Sequence, residues 1–192
     1  MTQIKENFTS VTQHLLVAMP GLLDPHFSGT VIYIAEHSEQ GAMGLVLNRL
    51  AEIDLISLFS RIDINTKQNN TVPLPVFLGG PIQPDRGFVL HEPVGSWSSS
   101  LKISDQLALT SSRDILEATA EGRGPSKFLV SLGYSGWGPG QLDVELLSNS
   151  WLTIPILNND LIFDTPAEEK MAAAFRLLGF DPSNLSDVVG HA

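Results

Sequence analysis

A chain of 192 residues with 43% hydrophobic and 17% charged residues can bury a core, and it reads as one globular domain (residues 1–192) rather than a disordered tract. Its net charge of −10, with eleven scattered Lys and Arg, excludes the basic face on which duplex DNA binders neutralise phosphates, so direct DNA binding is not expected. The absence of cysteine excludes disulfides, thiol catalysis and thiolate metal sites.

Residues 1–13 are polar and read as a loose segment or a first helical turn. The apolar run from Leu15 to Met19 is too short for a signal-sequence core or a membrane span, which points to the cytosol and away from membranes. Residues 14–19 form the first predicted strand, stopped by Pro20 and Gly21. Residues 30–37 form the second. There Val31, Tyr33 and Ala35 alternate with Ile32, Ile34 and Glu36, so both faces are mostly apolar and the strand belongs in a sheet interior. Gln40-Gly41 turns the chain, and residues 42–48 return as the third strand of an antiparallel hairpin.

Asp54 is the expected N-cap of a short helix with Leu55, Leu58, Phe59 and Ile62 on one face. Residues 63–73 are a polar loop. Residues 75–79 and 86–92 read as short strands around a Gly79-Gly80-Pro81 turn, and residues 101–109 as extended. Ser111 or Ser112 caps a helix that runs to about Glu121 and is closed by Gly122.

Residues 127–132 read as a buried strand that enters a loop holding Gly133, Gly136, Gly138 and Gly140. A helix follows, with Pro139 at or near its first turn. Residues 151–154 and 160–163 look like strands. In the last helix Thr165 is the expected N-cap, with Pro166 at the first position and Glu168 completing a capping box. Met171, Ala174, Phe175 and Leu178 make its apolar stripe and Gly179 ends it. Strands outnumber helices and cluster in neighbouring groups, which favours α+β over a doubly wound sheet.

Three readings compete for the glycine segment. Gly133-Tyr134-Ser135-Gly136-Trp137 matches four of the five positions of a nucleophile elbow, but Trp137 stands where the elbow needs a small residue. The only downstream histidine is His191. A Walker loop needs Lys and then Ser or Thr after its last glycine, and here Gln141 and Leu142 follow Gly140. The third reading is a packing device, in which the glycines let the backbone turn tightly and lay Tyr134 and Trp137 across neighbouring elements. Gln141, Glu145 and Asn149 then form a polar ridge on the next helix, either lining a pocket or facing solvent.

Two dipeptides, Glu36-His37 and His91-Glu92, invite a metal reading, with Asp24 as a third ligand. Adjacent strand residues point to opposite faces, so each dipeptide offers one ligand at most, and no metal is expected. Asn48, Arg49 and Arg86 lie at predicted strand ends. The arginines suit bidentate capture of a carboxylate or phosphate, or simple pairing with acids such as Glu36 or Glu92.

Taken together, the segments resemble the AlgH/YqgE family of small bacterial proteins. The matching blocks are Met19, Pro20 and Gly21 with Asp24 and Phe27; Tyr33 with Glu36 and His37; GAMGLVLNR from Gly41 to Arg49; Gly79, Gly80 and Pro81 with RGFVLH from Arg86 to His91; GYSGWGPGQL from Gly133 to Leu142; Trp151 and Leu152; LIFD from Leu161 to Asp164; and the terminal Gly190, His191 and Ala192. They span residues 14–192. The resemblance implies an α+β fold of coiled, bifurcated, mixed or antiparallel sheets with a small barrel-like core and a few packed helices, in a bacterial cytosolic protein. The family name comes from a proposed role in transcriptional regulation of alginate synthesis; no settled activity or cofactor comes with it. The chain departs from the family pattern at Ala35, where some relatives carry cysteine, at Leu50 in place of a frequent proline, and at Met171 in place of tryptophan.

The resulting expectation is a non-enzymatic binding or regulatory module whose partner is a small molecule or a protein. Its candidate site residues are Glu36, His37, Asn48, Arg49, Arg86, His91, Tyr134, Ser135, Trp137 and Gln141, with no catalytic or metal assignment. These residues sit beside glycines and strand ends, where pockets form. The alternative is a small hydrolase using Ser135 or a His/carboxylate pair.

Overall fold

The structure, a computed structural model, describes residues 8–66 and 74–179. Residues 1–7, positions 67–73 of the expected polar loop, and the block Gly190, His191 and Ala192 lie outside the described residues.

β2 (Val31–Ser38) and β3 (Gly41–Val46) form the expected antiparallel hairpin; β1 (His14–Ala18) pairs antiparallel with β2, and β10 (Trp151–Pro155) pairs with β1 at the edge. Both faces of β2 are indeed buried. Val31, Tyr33 and Ala35 join the cluster under the last helices, while Ile32 and Ile34 join a second cluster with Trp137, Leu142 and Trp151. A register shift between Ile34 and Glu36 then brings Glu36 opposite Met43 and His37 opposite Ala42.

The trunk of the molecule is β9 (Lys127–Trp137). One flank pairs with β6 (Ile82–Glu92), which carries β8 (Ala108–Thr110) and β7 (Ser100–Lys102) beyond it. The other flank is shared. Val130 to Leu132 run parallel to β5 (Pro75–Leu78), whereas Ser135 to Trp137 pair antiparallel with β3. The sheet therefore branches at the middle of β9, and β4 (Leu50–Asp54) extends the β5 branch. The result is a mainly antiparallel, curled sheet around a barrel-like core, packed by short helices: the α+β fold that the resemblance implies.

Gly79 sits in the crotch of the branch. Its N–H donates to Leu132 O, and its carbonyl accepts from Val46 N. A Cβ at Gly79 would lie 2.0 Å from Ser131 Oγ and 2.4 Å from the Gly133 carbonyl, so no larger residue fits. Gly133, at φ 68°, supplies the bend between the two halves of β9.

Helices close the outer faces. Asp54 caps α1 (Leu55–Arg61) by accepting from Ser57 N at 2.7 Å, and this bond, with the Ser57 hydroxyl, holds the carboxyl below its ordinary range. Leu55, Leu58 and Phe59 pack with Ile115 and Leu116 of α2 (Arg113–Ala120) against Val76, Val89 and Val130. Ser112 stands at the N-cap of α2, but its hydroxyl donates to Asp114 instead of accepting a helix N–H. The short helices α3 (Gln141–Leu147) and α4 (Asp160–Phe163) precede α5 (Lys170–Leu177), whose Ala174 is fully buried beside Met171, Phe175 and Leu178.

Several expectations need correction. The strand does not stop at residue 132: β9 continues to Trp137 through Gly133 and Gly136, because β3 and β6 supply partners for that backbone. Residues 160–163 are helical, their short apolar run being compatible with either state. Residues 101–109 break into the ends of β7 and β8 around a turn closed by Ile103 N to Leu107 O. The strand β4 was not expected. Before α5 a 3-10 turn, Ala167–Glu169, replaces the capping box, and the Thr165 hydroxyl donates back to Asp160 O. None of the described helices is long and apolar enough to cross a membrane.

Candidate functional site

Most of the candidate polar residues fasten the sheet. Asn48 accepts from Val31 N at 2.9 Å and donates to Gly29 O at 3.0 Å, which ties the end of β3 to the start of β2. The Arg49 guanidinium donates to the carbonyls of Pro25, His26 and Ser28, holding the loop before β2. Arg86 reaches Gln83 and, at 2.7 Å, the Ser111 hydroxyl, and it lies over the Phe88 ring. Neither arginine pairs with Glu36 or Glu92, because backbone carbonyls and hydroxyls nearer in the fold take their donors.

The histidines are internal fasteners as well. His91 is fully buried; its Nδ1 faces the Pro93 carbonyl at 3.0 Å, and its Nε2 faces the Thr110 hydroxyl at 2.8 Å. A carbonyl only accepts, so Nδ1 carries the proton and Nε2 accepts from Thr110. Burial pushes the imidazole below its ordinary value, against the opposing effect of the Pro93 carbonyl. His37, also buried, accepts from Val11 N through Nδ1, which leaves its Nε2–H toward Asp143 Oδ2 at 3.6 Å. The two histidines thus serve different packing layers, and Asp24 caps His26 N. Among the described residues no three His, Asp or Glu side chains gather as metal ligands.

Ser135 is fully buried and donates to the Gly79 carbonyl at 3.0 Å, across the branch of the sheet. It sits within β9, not on a strand-to-helix elbow, and among the described residues none of its hydrogen bonds involves a base. Of the polar ridge on α3, Gln141 and Asn149 are exposed and Glu145 is half-buried. Glu145 Oε2 accepts the indole N–H groups of Trp137 at 2.9 Å and Trp151 at 2.7 Å, while its Oε1 accepts from Gln141 Nε2 at 3.1 Å. Gln141 Oε1 in turn accepts from Gly138 N. In the sequence Glu145 reads only as part of the ridge, and its i, i+4 relation to Gln141 is the signal for this bond.

What remains borders one trough. The register places Glu36, Met43 and Gly136 in a single cross-strand row over β2, β3 and β9. Tyr134, two residues along β9, shares that face. Ile82, Gly41 and the backbone near Trp137 complete an open trough of about 430 Å³. Glu36 is exposed and Tyr134 half-buried, with the Tyr134 ring edge-on to Phe88 at 5.3 Å. Among the described residues neither the Glu36 carboxylate nor the Tyr134 hydroxyl makes a hydrogen bond. Of the candidate residues, the structure brings Glu36, Tyr134 and Trp137 to this trough; Asn48, Arg49, Arg86 and His91 do not line it.

Comparison with known proteins agrees with this architecture. The family described as AlgH-like matches residues 15–183. A UPF0301 protein of Nitrosospira multiformis is 53% identical over 182 residues, covering 95% of this chain and 97% of that protein. One from Ralstonia nicotianae is 51% identical over 183 residues, covering 95% of this chain and 96% of its own. The solution structure of the AlgH protein from Pseudomonas aeruginosa superposes with a TM-score of 0.77 at 43% identity, covering 100% of both chains. A crystal structure of a Corynebacterium diphtheriae protein shares the fold, with a TM-score of 0.67 at 20% identity over 89% of this chain and 88% of that one.

Proposed function

This chain belongs to the AlgH-like family, and from that premise we propose that it is a non-enzymatic binding module whose trough receives a basic segment of a protein partner. One observation carries the reading. The other candidate polar side chains are spent on internal hydrogen bonds, whereas the Glu36 carboxylate and the Tyr134 ring both line an open depression. A lysine or arginine side chain fits that chemistry. Its charge meets Glu36, and its aliphatic stem lies over Met43, Ile82 and Tyr134. The net charge of −10 assists approach of a basic partner and opposes DNA, so any regulatory role runs through protein contact.

Titration with fluorescent Lys/Arg-containing peptides tests the proposal. Saturable binding that weakens about tenfold in Glu36→Gln and Tyr134→Ala supports it. Binding that ignores both changes, or equal binding of acidic peptides, refutes it. The hydrolase reading makes the opposite demand: an ester or phosphate activity lost in Ser135→Ala while peptide binding is absent.

A further inference from the structure

Lys170 is the least expected residue in the fold. Lying between Glu169 and Met171 it reads as a solvated helix position, yet its side chain is 1% exposed. The spacing of Ala167, Lys170 and Ala174 on one helical face is the sequence signal for this burial. From the first turn of α5 the side chain reaches under α4. There its Nζ donates to Leu161 O at 3.0 Å and, more closely, to Ile162 O. The Phe77 ring lies 5.6 Å away.

An ammonium has three donors, and the described residues accept two of them. No carboxylate among the described residues lies within ion-pair distance of Nζ. Asp164 acts on it only from farther off, and that carboxylate is itself held by Lys127 Nζ at 2.7 Å. A buried cation is ordinarily paired with an anion, and this one is not. Burial accordingly lowers its pKa to about 8, against the opposing charge of Asp164.

Lys170 also lines a cavity of about 210 Å³. The buried part of its wall is apolar, formed by Phe77, Val130, Ile162 and Ala167. Exposed residues, Leu74 and Asp164 among them, form its rim, so the cavity opens to solvent. A lysine that merely capped the carbonyl end of α4 would need no cavity beside it.

We propose that this cavity is a binding site for a small monocarboxylate with an apolar tail, its carboxylate taking the remaining N–H of Lys170 and its tail lying against Phe77, Val130 and Ile162. The site is separate from the trough over β2, β3 and β9, and it stands or falls independently of the function proposed there.

Hexanoate is a suitable probe, with hexan-1-ol as its uncharged counterpart, each titrated into the full chain by NMR. The expected result is saturable hexanoate binding that moves the amide signals of Phe77, Ile162 and Ala167. Hexan-1-ol should bind at least about tenfold more weakly. Lys170→Met should erase the preference for the acid. Ala167→Leu, which keeps the ammonium and narrows the cavity, should weaken hexanoate as well. The proposal is overturned if hexanoate does not saturate by about 10 mM, if acid and alcohol bind alike to the unmodified chain, or if the shifted signals lie elsewhere. The comparison of the two probes on the unmodified chain decides the matter even if a variant does not fold.

Discussion

Removing the Glu145 carboxylate should unfasten β10, at one edge of the curled sheet, from the far end of its trunk strand β9. Trp137 ends β9 and Trp151 begins β10; β1, β2 and β3 lie between those strands. Both rings are 5% exposed, and their N–H groups converge on one oxygen. In Glu145→Ala two indole donors lose their acceptor inside a packed aromatic cluster with Phe27. At about 1–3 kcal/mol for each unsatisfied donor, the loss is roughly 2–6 kcal/mol. Water reaching the half-buried carboxylate position brings the expected value to the lower half of that range. Glu145→Gln keeps an oxygen that accepts both indoles but loses the charge and the acceptor of Gln141 Nε2, and should cost about 1–2 kcal/mol. Urea unfolding followed by tryptophan fluorescence reads both changes. A double-mutant cycle with Trp151→Phe adds a second criterion. Once one donor is gone, deleting the acceptor hurts less, so a coupling of about 1 kcal/mol is expected. A Glu145→Ala loss below about 1 kcal/mol, or strict additivity in the cycle, refutes the fastening role.

Two further outcomes follow from the packing. Gly79→Ala drives a methyl group into Ser131 Oγ and the Gly133 carbonyl and should cost about 3 kcal/mol, the upper end for overpacking. Gly136→Ala meets the movable tip of Ile82 at 2.7 Å and should cost clearly less, so equal losses in thermal unfolding would count against the branch-point argument. His91 has a folded-state pKa below its ordinary 6.5, so the unfolded chain takes up its proton first as the pH drops. Its contribution is complete above pH 6.5 and is lost as the pH falls through the folded-state value. Unfolding free energies measured across that window should fall less steeply in His91→Gln, and an unchanged slope would remove His91 as the cause.

Local signals were legible where local physics decides. The double-sided alternation of β2, the Asp54 cap and the apolar stripe of α5 each depend on residues within a turn or two of one another. The continuation of β9 through Gly133 and Gly136 was not legible. Glycines announce a loop, whereas the backbone partners that make a strand here come from β3 and β6, far off in sequence. The inward turn of Lys170 depends likewise on α4 presenting its carbonyl end over Phe77.

The candidate residues lie beside glycines and strand ends, and the branch in β9 explains why such positions hold two populations. Where a sheet divides, ladder pairing ends and backbone groups need other partners. Ser135 donates to the Gly79 carbonyl in the crotch and Ser131 to the Gly133 carbonyl at the bend itself, whereas Asn48 and Arg49 hold the start of β2 and the loop before it. Glycine is required at the same places because the strands approach too closely for a Cβ. A polar residue beside a glycine is therefore a signature of branching as much as of binding. What separates Glu36 and Tyr134 from the rest is that their polar atoms remain unspent among the described residues. That property depends on which backbone groups the fold leaves unpaired, so it emerges only once the strand pairing is fixed.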